Sequence, residues 1–282
     1  MLKTLLKHEM RATAKTFVWL YIAFVAIAVV NTLANPMTSM FGRSAMGDAA
    51  VQNLIPNAFQ GIAMTLYVLS IVAIGIVTFV IVILRFFRNL LGDEGYLMMT
   101  LPVSREQNIL SKLLVAVFWN VCTCILIILS ILLMIAGAGV FGEFVKSLQE
   151  LFAADAPVGR WVTMGILAVL VATFTGVLML YAAMGVGPNM LKNRVGGSIL
   201  AYILIYIASQ FITVAIMWGV VGATVGPGFM TRTIMLNSPQ VSDVAISAVD
   251  SIIVGAIVSE IAIGVGCWFL TRFMLTRKLN LA

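Results

Sequence analysis

Six stretches of the chain run nearly free of charge, near residues 17–34, 61–84, 113–138, 161–186, 197–221 and 250–271. An α-helix needs about 20 apolar residues to cross a hydrocarbon layer about 30 Å thick, and each stretch is close to that length. The pattern predicts an all-α integral membrane protein: one transmembrane domain over residues 1–282 with six spanning helices. Polar and helix-breaking residues lie between the spans, at Asn35-Pro36, Gly92-Asp93-Glu94-Gly95 and Gly187-Pro188-Asn189. Ser104 and Gln107 have capping-box spacing just after Pro102, which puts the start of the third helix at Ser104.

Composition narrows the solvent to lipid. Of 282 residues, 62% are apolar and 10% are charged, and the mean hydropathy is +1.09. A soluble domain carries about 25% charged residues, so this chain has too little polar surface to cover a core of its own making. The net charge of +6 makes no coherent basic patch, and nucleic acid is not an expected partner.

The basic residues sort by membrane side. Lys3, Lys7, Arg11, Lys15, Arg85, Arg88, Arg105, Lys112, Lys192, Arg194, Arg272, Arg277 and Lys278 fall on one side; Arg43, Lys146, Arg160 and Arg232 fall on the other. Thirteen against four predicts a multi-pass plasma-membrane protein with both termini cytoplasmic. Residues 17–34 read as a permanent span rather than a signal peptide, because the leader before them is long and contains Glu9.

Within that leader, Lys3, Lys7, Arg11 and Lys15 recur every four residues, opposite Leu2, Leu5, Leu6 and Met10. Residues 1–16 are therefore expected as an interfacial amphipathic helix, its bases against anionic lipid. Glu9 falls among the leucines. It either snorkels to water at the helix edge or pairs with a basic residue on a neighbouring cytoplasmic segment.

The segment 88–104 is too polar to span, yet Tyr96, Leu97, Met98, Met99 and Leu101 are too apolar for an idle loop. Asp93 can cap a short helix that Pro102 ends, giving either a docking knob at the mouth of two spans or a loop tucked against the bilayer.

The run GDEGYLMMTLPVSREQNILSKLL closely resembles the cytoplasmic loop of a group of bacterial ABC transporter permeases of the type-2 exporter class. Tyr96 to Ser104 matches a YLxxTLPVS-like stretch and Leu110 to Leu114 the LLxSKLL that follows it; the opening LLKHEMRAT is also similar. The resemblance covers residues 1–20 and 85–115 and identifies a permease type rather than a cargo. It implies a short coupling helix between spans two and three, with Asp93, Glu94, Tyr96, Leu97, Met98 and Met99 meeting a cytoplasmic ATPase. It also implies a second permease copy or a sister permease, and ATP and magnesium held on the partner ATPase. No cofactor is expected on this chain.

No G-x-x-x-x-G-K-[ST] occurs, and His8 is the only histidine, so neither a P-loop nor a histidine-based metal or hydrolase site is expected. The chain does not read as an enzyme. Cys122, Cys124 and Cys267 lie in apolar runs and read as buried structural thiols. Glu260 lies deep in the sixth span, where a bare charge costs about 2.5–3.5 kcal/mol on insertion scales. Gln210, at similar depth in the fifth span, is its expected hydrogen-bond partner. Glu260 is either part of a structural interhelical bond or of a substrate path or proton relay. Ser251, Gly255 and Ser259 form a small-residue ladder fit for close helix contact. The outer stretches near 35–60, 139–160 and 222–249 read as modest loops; similar exporters place a re-entrant turn where Gly226-Pro227-Gly228-Phe229-Met230 stands. A proton-coupled secondary transporter and a non-transporting scaffold or sensor subunit are the rival functions.

Overall fold

In the computed structural model, residues 2–44, 49–86, 105–153, 157–191, 193–225 and 240–277 are described. They form α1 (Leu2–Ser44), α2 (Ala49–Phe86), α3 (Arg105–Gly137), α4 (Phe141–Ala153), α5 (Val158–Val186), a 3₁₀ turn (Gly187–Asn189), α6 (Arg194–Val225) and α7 (Gln240–Arg277). Six segments are long and apolar enough to cross a membrane: Lys3–Leu33, Ala58–Arg85, Ile109–Gly137, Val158–Asn189, Val195–Ala223 and Ile246–Met274. Each contains or closely overlaps a span expected from sequence. The fold is an all-α, six-span integral membrane protein.

The ends of the helices depart from the sequence reading. Residues 2–16 are not a separate element but the first turns of α1, which continues past Asn35-Pro36 to Ser44. Likewise α2 begins at Ala49, ahead of Pro56, so most of the expected outer loop near 35–60 is helical. A proline inside a helix removes one backbone donor, a loss that a long membrane-spanning helix tolerates where other polar groups or local adjustment satisfy the freed carbonyl.

The chain divides into two compact units. The first comprises α1, α2, α3 from Leu114 onward and α4 as far as Leu151; the second comprises α5 to α7 with the opening turns of α3 up to Leu113.

In the first unit each long helix buries one stripe. On α1 the stripe is Glu9, Thr13, Phe17, Phe24, Ala28 and Asn31, at spacings of three, four and seven. Phe24, Ala28, Tyr67 and Ile74 form one core cluster, with Leu126, Ile127 and Met134 of α3 packed on it. The other faces carry exposed large apolar residues such as Trp19, Ile62, Ile76 and Ile128. In a membrane-spanning unit, a surface of that kind suits lipid.

The second unit packs on small residues. Along α7, Ser251, Gly255, Ser259, Ile263, Cys267 and Thr271 are all buried, so the expected ladder exists and runs three steps further. A methyl added at Gly255 would lie 2.7 Å from the Met217 sulfur of α6, and one at Gly264 would lie 3.0 Å from Thr175 Oγ1 of α5. Thr175 Oγ1 in turn donates to the Glu260 carbonyl at 2.9 Å. The second half of α5, Val177 to Gly185, is buried on every side. The turn after it is held tightly against the start of α6. A Cβ at Gly197 would sit 2.1 Å from the Gly187 carbonyl oxygen, and one at Gly187 would sit 2.4 Å from Ser198 Cα.

One element is new. The stretch near 139–160, expected as a loop, contains the 13-residue helix α4, which has no buried residue. Its apolar positions 141, 144, 145, 148, 151 and 152 carry helical periodicity in the sequence, but the run is too short to register as a span.

Candidate functional site

The residues most open to functional reading gather at the N-terminal end of the first unit. Lys3, Lys7, Arg11 and Lys15 are all exposed, and Leu5, Leu6 and Met10 are half-buried. The apolar side of these turns is not left to lipid. Leu6, Met10 and Ala14 pack on a cluster of Phe17, Val115 and Trp119. Phe17 and Trp119 stack face to face, with centroids 4.5 Å apart and planes 5° apart.

Glu9 is 6% exposed in the midst of this packing. Arg85, in the last turn of α2, reaches it from across the unit. Arg85 Nε donates to Glu9 Oε2 at 2.7 Å. Arg85 Nη2 donates to the same oxygen and also, at 3.2 Å, to the Glu9 carbonyl. Of the two readings of Glu9, the structure selects the fixed ion pair. Both donors of the guanidinium converge on one residue, an arrangement that orients as well as attracts. Sequence could not name Arg85, because four basic residues flank that segment and spacing does not say which one α1 meets.

Just inside the pair, Thr13 Oγ1 donates to the Glu9 carbonyl at 3.0 Å and accepts from Trp119 Nε1 at 2.8 Å. One turn and more further along, the Tyr21 hydroxyl donates to the Trp119 carbonyl at 3.0 Å and lies 2.9 Å from Thr123 Oγ1, itself 3.4 Å from Thr78. Deeper still, Tyr67 bonds Ser130 at 2.8 Å. A column of polar contacts thus pins α1, α2 and α3 together from the ion pair into the span. Each such bond is worth about 0.6 kcal/mol in a membrane interior, so the column fixes register more than it adds stability.

The coupling residues Asp93, Glu94, Tyr96, Leu97, Met98 and Met99 lie outside the described residues, as does the turn 226–230. The chain on either side is placed: α2 ends at Phe86, one residue after Arg85, and α3 begins at Arg105, one residue after the expected Ser104 cap. In the opening turns of α3, Ser111 is 0% exposed and Lys112 3% exposed. Both belong to the run Leu110–Leu114 that carries the resemblance. Lys112, read from sequence only as a membrane-side charge, is a buried residue.

The intramembrane pair expected between Glu260 and Gln210 is not made. Gln210 is exposed; its neighbour Ser209 occupies the buried face of α6 and donates to the Tyr206 carbonyl at 2.7 Å. Adjacent helical residues differ by about 100°, so a helix that turns Ser209 inward turns Gln210 out. Glu260 is half-buried beside the fully buried Ser259, and its contact with α5 is through its main chain. The cysteine reading also needs correction: Cys267 is buried, Cys122 is half-buried and Cys124 is exposed. All three are free thiols. Cys122 and Cys124 lie on one helix two positions apart and so turn to different faces.

At the start of α5, the Arg160 guanidinium pairs with Asp250 of α7, and Trp161 Nε1 donates to the same carboxylate at 2.8 Å. Asp250 is thereby held by two consecutive residues, which closes one end of the α5–α7 contact as Glu9 and Arg85 close one end of the first unit. No protein-family model, curated protein or solved structure matches the chain.

Proposed function

We propose that this protein is the membrane-spanning permease subunit of an ATP-driven exporter, with ATP hydrolysis on a separate cytoplasmic ATPase. The observation that carries the reading is the motif: Tyr96 to Ser104 and Leu110 to Leu114 resemble the coupling loop of type-2 exporter permeases, in a chain with six spanning helices. The thirteen-to-four distribution of basic residues supports a cytoplasmic position for that loop and for both termini. Working units of this kind pair two membrane halves, so a second copy or a sister permease completes the pathway.

The Glu9–Arg85 pair gives the proposal a mechanical part. Arg85 is the last ionisable residue before the coupling segment, and the pair ties the end of α2 to the first turns of α1. A push on the segment from the closing ATPase is then delivered to α1 and α2 together, rather than dissipated in a loose helix end. Past the other end of the segment, Ser111 and Lys112 are buried in the opening turns of α3. Alternating access follows if the two units respond as bodies to that push.

The test is co-purification of a tagged Tyr96→Ala, Met99→Ala variant with the ATPase, together with stimulated ATP hydrolysis. Truncating a hot-spot aromatic costs about 2 kcal/mol or more of docking, so both readouts should fall while expression and membrane insertion hold. Wild-type recovery of both would remove this segment as the coupling element.

A further inference from the structure

The helix α4 has no buried residue, though Phe144 and Val145 are half-buried, and its sides are sharply divided. Phe141, Phe144, Val145, Leu148, Leu151 and Phe152 fall within an arc of about 120° at 100° per residue. Glu143, Lys146, Ser147, Gln149 and Glu150 occupy the remainder. Phe141, Leu148, Leu151 and Phe152 are exposed, and the Phe141 and Phe144 rings lie 6.5 Å apart along the apolar side. A helix that offers three phenylalanines and two leucines on one side is not at rest in water.

The chain's own connectivity says what covers it. Three residues, 138–140, separate α4 from the end of the third span at Gly137; four, 154–157, separate it from the start of the fourth at Val158. At no more than about 3.5 Å per residue, both ends of α4 are tethered within about 10–14 Å of the points where the chain leaves and re-enters the membrane. The interfacial layer on each side of the hydrocarbon is itself about 5–7 Å deep, so α4 is confined to it or to its edge. Gly139, at φ 75°, makes the sharp turn that a chain must take to go from a spanning helix to one lying across it.

We propose that α4 is a lipid-seated interfacial helix. It lies along the membrane surface on the face opposite the N-terminus, with Phe141, Phe144, Leu148, Leu151 and Phe152 sunk to the acyl boundary and Glu143, Lys146 and Glu150 in water. Its occupant is the bilayer itself. With two acidic residues and one basic on its polar side, it is seated by apolar burial and has little charge preference for the headgroup. It serves as a float between the third and fourth spans, fixing the depth of the ends of α3 and α5, whichever cargo or energy source the protein uses.

The test is spin-label accessibility on the full-length protein in phosphatidylethanolamine–phosphatidylglycerol vesicles, in a background with the three native cysteines replaced. Single cysteines at Leu148 and Phe152 are compared with ones at Gln149 and Glu150. Ile166, exposed on α5 within a span, is the lipid reference, and Asn193, exposed in the turn between two spans, the water reference. Collision with oxygen relative to a water-soluble nickel chelate should be several-fold higher at Leu148 and Phe152 than at Gln149 and Glu150, approaching the Ile166 value. Equal nickel access at all four positions would place the helix in water and overturn the proposal. Protection of Leu148 and Phe152 from both probes would mean that protein, such as a second copy of this chain, covers the face, and would overturn it equally.

Discussion

Breaking the Glu9–Arg85 pair from either side should have unequal consequences, and the inequality can be worked from the structure. The Glu9 side chain is 7% exposed and the Arg85 side chain 23%. Removing one partner of a buried ion pair costs about 3–5 kcal/mol because the remaining charge stays desolvated. Arg85→Met takes the guanidinium from a carboxylate on a short, buried arm, and should cost about 3 kcal/mol. Glu9→Leu leaves a long-armed arginine at the end of a span, already partly in solvent, which can snorkel to water or a lipid phosphate; about 1 kcal/mol is expected. The double variant Glu9→Leu, Arg85→Met replaces both charges with apolar groups and should recover most of the Arg85→Met loss. Reversible unfolding in mixed micelles, followed by helical circular dichroism, reads all three differences. In a background with Cys122 and Cys124 replaced, thiol-reactive dye uptake by the buried Cys267 reports separately whether the second unit has opened. The reasoning fails if the two single variants cost the same, or if the double variant costs their sum. Additivity would mean that the pair is not energetically coupled and that its residues are anchored by other contacts; equal single costs would mean that Glu9 and Arg85 are equally desolvated.

Four other outcomes follow from named contacts. Gly197→Ala should be strongly destabilising, because its new methyl would meet the Gly187 carbonyl oxygen at 2.1 Å, whereas Gly75→Ala, with nothing within 4 Å, should be neutral or mildly stabilising; thermal unfolding in detergent separates the two. Trp119→Phe keeps a ring against Phe17 but loses the donor to Thr13, and should lower stability by about 0.6–1.7 kcal/mol in the same assay. Gln210→Ala should change stability by less than about 0.5 kcal/mol, since that side chain is exposed, and Glu260→Gln should fold and assemble normally; normal assembly of Glu260→Gln with abolished transport would assign that carboxyl a functional role. A single cysteine at Ser147, on the polar side of α4, should react with an impermeant maleimide added to intact cells, while one at Asn193 should not; labelling at Asn193 would refute the cytoplasmic assignment of that turn.

The six spans were legible because lipid imposes a one-dimensional rule: each crossing must be a long helix with few charges, whatever it packs against. Small-residue ladders are nearly as local, which is why Ser251, Gly255 and Ser259 pointed to the buried face of α7 before any neighbour was known. The basic stripe of residues 3–15 likewise needed only the helical period. Tertiary structure decided what depends on which helix meets which, and at what rotation. The sequence holds Glu9 and several candidate cations, but the choice of Arg85 is made by the packing of α1 on α2. Gln210 and Glu260 share a depth, yet a rotation of one residue, with Ser209 turned inward, separates them. The helix α4 stood in the sequence as a period too short to cross a membrane; its apolar face gains meaning only from the spans that hold both its ends at the interface. Depth and periodicity are properties of a single chain segment in its solvent, while rotation and partnership belong to pairs of segments, and no single segment encodes them.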